Sequence, residues 1–405
     1  MPRRRPSRSA PAAPRRGAPL LPWLLLAVAA AWMAGAGSEL LRSSHWAHYV
    51  YLADAWLHGQ LHLARTPNDA GDMAVVDGRL YVVFGPFPAV LLLPLVPVFK
   101  RATPDVLVLA LTALAGVAAF HRAAARLWGE GDRLRLACLT LTFALGTALH
   151  YGAPMGNVWL HAQITATTLQ CFALWAAAAG RPWTAGVLLG LTVLTRATTT
   201  LALPFAAWLL LRPAGDGARR PWARVALALV APVAAGAALH ALYNWARFGN
   251  PLDAGYHYIL MGEAFERRVA EHGRFSLHFL PGNLWGWLAR PPLLERGALV
   301  PDPHGMSLFL TTPFLALAAW PRRWTALEAW AAASALLCFA PSLFYYNDGW
   351  VHFGQRFALD GIAPALLAAH GGARRAPPWL VVALTVWGVA VGAWGLQWFR
   401  ASFLH

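Results

Sequence analysis

The sequence predicts an all-α fold: a polytopic membrane helical bundle of about 11 spans, with a long first extracytoplasmic loop carrying juxtamembrane helices. Three observations predict it. Of 405 residues, 58% are hydrophobic and only 13% charged, against about 45–50% and about 25% in a soluble domain. Apolar runs recur along the whole chain, near the length of about 17–25 residues that a crossing helix needs. Basic residues collect in alternate connecting loops, as the positive-inside rule requires. A soluble cytosolic enzyme, a disordered chain and a disulfide scaffold are all excluded. Cys138, Cys171 and Cys338 lie inside apolar runs and read as core residues. No CxxC, HExxH, GxGxxG or Walker-type loop is present, and no metal site is assigned.

The N-terminal tail, 1–19, carries Arg3, Arg4, Arg5, Arg8, Arg15 and Arg16 and is expected in the cytoplasm. The run 20–37 is the first span. Its Ala34-Gly35-Ala36 is similar to a cleavage site, but the loop that follows needs an anchor, so the span is read as retained. The run 80–99 is apolar yet holds Pro86, Pro88, Pro94 and Pro97, which remove backbone donors. If it crossed, the basic group Arg122, Arg126, Arg133 and Arg135 would face outward, so 80–99 is read as juxtamembrane or re-entrant. Spans follow at 105–122, 134–150, 158–179, 183–195, 198–211, 222–243, 306–320, 325–345, 355–371 and 378–399, with 183–211 readable as one broken helix. Arg181, the group Arg212, Arg219, Arg220 and Arg224, the pair Arg322 and Arg323, and the pair Arg374 and Arg375 then fall inside, and the C-terminus outside.

The net charge of +15 is therefore an orientation signal and implies no nucleic-acid partner. All but one of the 33 basic residues are arginine, a usage that fits a GC-rich bacterial genome; a multi-pass chain with this basic cytoplasmic tail is then expected in the inner (cytoplasmic) membrane. Only Glu130, Asp132, Asp216 and Glu328 are expected inside. The other acids lie mostly in two outer loops, 38–104 and 244–305. Long loops between short-looped helices usually carry function.

In the first loop, Tyr49, Leu52, Ala53, Trp56 and Leu57 repeat at i, i+3, i+4, which predicts an amphipathic helix ending near Gly59 and lying in the membrane interface. Asp69 and Asp72 follow. Asp77-Gly78-Arg79 reads as a turn, and Phe84-Gly85-Pro86-Phe87-Pro88-Ala89 opens the proline-rich run. This order of span, loop helix, acidic turn and proline-rich segment resembles the GT-C glycosyltransferases, integral membrane enzymes that use polyprenyl-phosphate sugars. The closest resemblance is to the bacterial branch of protein mannosyltransferases and lipid A aminoarabinose transferases. Leu194-Thr195-Arg196, Arg247-Phe248-Gly249-Asn250-Pro251-Leu252 and Phe353-Gly354-Gln355-Arg356-Phe357 agree with it. The resemblance implies a single transmembrane domain over 20–405. It also implies sugar transfer from a polyprenyl-phosphate donor to a lipid, glycan or protein acceptor on the extracytoplasmic side, by inverting displacement. The family places an acidic pair four residues before the loop-helix tyrosine. Here those positions are His45 and Trp46.

Such chemistry needs a base for the acceptor hydroxyl and cations for the leaving phosphate. Asp54, Glu39 and His45 are the candidate bases, with Asp72 and Asp77 as further ones; for Asp54 the plainer reading is a solvated position on an amphipathic helix, for Glu39 an interfacial anchor. Asp72 and Asp77 are candidates for the substrate cavity and for a divalent cation held between them, the one cofactor contemplated. Arg196 and Arg356 lie within or at the edge of apolar spans, where an arginine costs about 2.5–3.5 kcal/mol and is functional by default. They are the candidate phosphate ligands, with Arg79 as a third; the plainer reading pairs Arg356 with Asp360 one turn on. His161 (with Gln163) and Asp348 complete the candidate cavity. A non-catalytic lipid-handling or transport protein, and a degenerate family member acting as an assembly partner, are the alternative functions.

Overall fold

The computed structural model describes residues 19–67, 71–213, 220–320, 323–349 and 351–403. The tail arginines, Asp69, Asp216, Arg219, Arg322 and Trp350 lie outside these residues. Helix α1 (Leu20–Ala36) runs on as a 3-10 turn to Leu41. The first loop builds α2 (His48–Leu57), a hairpin of β1 (Met73–Val76) and β2 (Arg79–Val82), and two short helices, α3 (Phe87–Leu92) and α4 (Val96–Phe99). The bundle continues through α5 (Asp105–Trp128), α6 (Arg133–Leu145), α7 (Leu149–Gly152), α8 (Val158–Ala178), α9 (Pro182–Val193), α10 (Leu203–Leu211) and α11 (Trp222–Phe248). The second loop holds α12 (Glu263–His272), α13 (Leu280–Leu288) and a hairpin of β3 (Leu293–Glu295) and β4 (Ala298–Val300). The chain closes with α14 (Leu308–Thr311), α15 (Ala326–Leu343), α16 (Ile362–Ala373) and α17 (Pro378–Phe403).

Five helices among the described residues are long and apolar enough to cross a membrane, beginning at Leu20, Asp105, Trp222, Ala326 and Pro378. The expected count of about 11 spans is not reached by single helices of that length among the described residues. Helix α8 has the length, at 21 residues, but buries a row of polar side chains: His161, Gln163, Thr165, Thr167, Thr168 and Gln170. The other runs break. The run 134–150 stops at Gly146 between α6 and α7. The run 183–211 divides into α9, a 3-10 turn at Ala197–Ala202, and α10, whose second residue is Pro204. The run 355–371 begins as a 3-10 turn, Arg356–Asp360, before α16. Gly146, Pro204 and Gly361 lie at these breaks, because proline lacks a donor and glycine favours other backbone geometry, whereas α9 ends before Leu194-Thr195-Arg196 without either residue.

The run 80–99 also breaks, into helices of six and four residues that are too short to cross. They pack with α2, whose Tyr49, Val50, Leu52 and Ala53 join Leu63, Met73, Val82, Leu92 and Val158 in one buried cluster. Helix α2 thus buries its apolar face in protein rather than in lipid, while its end at His58–Gly59 matches the sequence reading.

Helix α5 packs along α8, α9 along α11, α15 along α16, and α17 along α6. The α9–α11 contact is close because Gly186 and Gly190 face the Ala228 and Pro232 carbonyls, and Gly236 faces that of Gly190. A Cβ at any of these three positions would collide with backbone. Arg400 of α17 donates to the Gly35 carbonyl of α1, joining the last helix to the first.

Candidate active site

Two broken segments carry the two arginines. Arg196 is extended (φ −155°, ψ 100°) between α9 and its 3-10 turn, and Arg356 opens the second 3-10 turn. Backbone that leaves a helix needs new partners, and α8 supplies them. Thr167 Oγ1 donates to the Leu359 carbonyl at 2.9 Å. Gln170 Nε2 donates to the carbonyls of Asp360 at 2.8 Å and Thr199 at 3.1 Å. The polar row that weakens α8 as a span therefore splices both segments into the bundle.

Asp360, fully buried, binds Arg196 and not Arg356. Arg196 Nε lies 2.5 Å from its Oδ1, and Thr198 Oγ1 donates to its Oδ2 at 2.7 Å. The expected i, i+4 pair of Arg356 and Asp360 presumes an α-helix. In a 3-10 turn of about three residues per turn, positions four apart point in different directions.

Arg356 is 6% exposed. Its guanidinium lies over the Trp159 ring at 5.5 Å and the Phe357 ring at 4.9 Å. Among the described residues it makes no ion pair, and its buried Nε meets no acceptor. Trp159 Nε1 in turn donates to Asp72 Oδ2 at 2.6 Å. One indole thus carries a buried cation on its face and a carboxylate at its edge. Asp72 holds a left-handed backbone (φ 61°) just before β1. Tyr256 reports the same convergence: burial lifts its phenol above the ordinary range, Arg196 pulls it down and Asp72 pushes it up. The Tyr345 phenol, also lifted by burial, reaches this group from the loop after α15.

The remaining candidates lie elsewhere. Glu39 is exposed in the turn after α1 and pairs with Arg42 at 3.3 Å. His45 is exposed with its ring edge-on to Trp46 at 4.8 Å, and Trp46 packs on Trp159 at 5.2 Å. Asp54 sits 3.8 Å from His58 Nδ1 on α2. Asp77 and Arg79 occupy the exposed tip of the first hairpin, where Asp77 and Gly78 both have positive φ, as a two-residue turn requires. Asp72 lies beyond the other end of β1. A strand of four residues, about 13 Å long, separates the two acids, so the proposed shared cation has no site between them. His161 is held in the core, with Nε2 3.0 Å from the Asp105 carbonyl. Asp105 itself receives the Ser44 amide and hydroxyl at 2.7 and 2.6 Å, which pins the loop in front of α2. Asp348 accepts from His304 Nδ1 at 2.7 Å, with Arg290 at 3.7 Å. Burial raises its carboxyl pKa, but His304 and Arg290 outweigh that and hold it below the ordinary range.

Sequence reasoning missed Trp159, Tyr256 and the Asp360–Arg196 pair. Trp159 looks like any interfacial tryptophan, and its partner is 87 positions away. Asp360 carried the one legible signal, an acid inside an apolar run.

Neither a protein-family model nor a curated protein matches the chain. Among solved structures, the apo oligosaccharyltransferase of Archaeoglobus fulgidus is similar, at 14% identity and a TM-score of 0.52, over 94% of this chain and 56% of that one. At that identity the likeness is one of fold. The chain spans little more than half the length of that enzyme.

Proposed function

We propose that the protein is a membrane glycosyltransferase that moves a sugar from a polyprenyl-phosphate donor to an acceptor on the extracytoplasmic side. The observation that carries this reading is Arg356, a buried guanidinium with no counter-ion among the described residues, sharing Trp159 with Asp72. A buried unpaired charge is costly unless a ligand completes it. A phosphate ester suits a guanidinium in charge and in its two-pronged geometry. An apolar groove of about 480 Å³ supports a lipid carrier. It is lined by Trp56, Pro86, Phe87, Leu194, Leu239 and Tyr243, and Leu194 is two residues from Arg196.

In this reading Asp72 takes the proton of the acceptor hydroxyl. The acceptor oxygen bonds to the anomeric carbon from the face opposite the phosphate, the bond to the phosphate oxygen breaks, and Arg356 stabilises the departing anion. The configuration inverts in one displacement. Arg196, tied to Asp360, fixes the neighbouring segment and keeps 23% of its side chain exposed. Asp72 replaces Asp54, Glu39 and His45 as the preferred base, because it alone shares the indole that holds Arg356.

Purified protein in liposomes, incubated with labelled polyprenyl-phosphate sugars, tests the proposal. Transfer is expected with at least one donor, and Asp72→Asn should lower turnover by about 10²–10⁴-fold while leaving donor binding intact. Donor binding without transfer would favour the assembly-partner reading; absence of both would overturn the proposal. A reporter fused at residues 100–104 tests the side, and a cytoplasmic signal there would reverse the orientation.

A further inference from the structure

Helix α13 belongs to the second outer loop, yet its contacts follow α15 down from the Leu343 end. Near its start, Asn283 Nδ2 donates to the Leu343 and Tyr345 carbonyls, both at 2.9 Å, at the end of α15. One turn later Trp287 packs on Phe339, with ring centres 5.1 Å apart, and joins Ala335 in the same buried cluster. At about 1.5 Å of rise per residue, Phe339 and Ala335 lie about 6 and 12 Å below Leu343. The helix therefore descends beside a membrane-spanning helix, at the depth of its hydrocarbon-facing half.

Its other face matches that depth. Pro281, Trp285, Leu288 and Ala289 are exposed at i, i+4, i+7 and i+8, with Trp285 at 57% and Leu288 at 51%. All are apolar. On α15 itself Leu336 and Leu337 are exposed and apolar as well. At the bottom of the descent, where lipid requires polar backbone to be satisfied internally, protein groups take up several of the carbonyls that the helix end leaves open. Gln355 Nε2 donates to the Gly286 carbonyl at 3.1 Å. Ser307 supplies two more, its hydroxyl to the Leu288 carbonyl at 2.7 Å and its amide to that of Arg290 at 2.9 Å. Arg290 then returns the chain to Asp302 and Asp348.

We infer that α13 is a re-entrant helix embedded in the leaflet at the Leu343 end of α15, which the charge distribution makes the outer one, with Pro281, Trp285 and Leu288 against acyl chains. The inference is independent of the donor reading. Single thiols at Trp285→Cys and Leu288→Cys remove exposed side chains only, and the native cysteines are buried. Each variant is spin-labelled in liposomes of phosphatidylethanolamine and phosphatidylglycerol, and its collisions with oxygen and with a water-soluble nickel chelate are compared. Leu336→Cys on α15 sets the lipid reference, and Glu263→Cys, on the exposed face of α12, sets the aqueous one. Both labels are expected to match the Leu336 reference: high oxygen and low nickel access. Nickel access near the Glu263 value at either position would overturn the inference.

Discussion

Glu328 and Arg356 are both buried charges, at opposite ends of the bundle. Glu328 is surrounded by partners. Its side chain accepts from the Thr325 amide at 2.5 Å and from Arg375 at 2.8 Å, and Thr325 Oγ1 in turn accepts from the Glu328 amide, completing a capping box. Nearby, Arg135 donates to Asp132 and to the Ala373 and Ala376 carbonyls. Glu328, Arg375, Arg135 and Asp132 are each answered within the protein and help to hold helices together. Arg356 has two aromatic faces and no carboxylate within ion-pair distance among the described residues. What differs is completeness. A charge that the fold completes is structural, and the one that it leaves open is, in the proposed reading, where a phosphate binds.

The strongest way to break this comparison is to make Arg196 resemble Arg356. Asp360→Ala leaves Arg196 without its counter-ion, and loss of one partner of a buried pair costs about 3–5 kcal/mol. Thermal unfolding in detergent should show a large drop, and an unchanged midpoint would mean that the pair does not stabilise the fold. Arg356→Ala should do the reverse. Stability should hold or rise, while donor binding weakens by about 1.5–3 kcal/mol, the usual worth of hydrogen bonds to a charge. That is roughly a 10- to 150-fold rise in Kd, measurable with a labelled polyprenyl-phosphate sugar. Equal loss of stability in both variants would erase the distinction. At the opposite end, Thr325→Ala removes a helix cap and should cost about 0.5–2 kcal/mol with no effect on donor binding.

The smallest effect expected is at Asp348. Its folded carboxyl is held below the usual value of 3.8 by His304 and Arg290, against burial. A group with a depressed folded pKa contributes stability above its unfolded value and loses it as pH falls through the folded one. Acid unfolding should therefore steepen below about pH 4, and Asp348→Asn should flatten that limb. Parallel curves for both proteins would remove Asp348 from the acid response.

Local patterns were legible in the sequence. The apolar period of α2, its end near Gly59 and the Asp77-Gly78 turn all follow from residues a few positions apart. Prolines signalled that 80–99 would not run as one helix. That Asp72 would meet the Trp159 indole rather than share a cation with Asp77 was not legible, because it depends on where α8 packs. The pairing of Asp360 failed for a sharper reason: period arguments assume an α-helix, and the arginine-bearing segments are the ones that leave it. Trp159 and Asp72 meet across 87 positions, beyond any local pattern.

The brevity of α9 bears on how the chain enters a membrane. Its 12 residues make a rod of about 18 Å, against a hydrocarbon layer of about 30 Å. Alone it has no stable transmembrane position, and its polar ends would be stranded in lipid. Gly186 and Gly190 let it lie directly on α11, which is long enough to be anchored by itself. Its supports lie on both sides of it in the chain, α8 before and α11 after. The segment that carries Arg196 is therefore seated only when a helix on each side of it has been made.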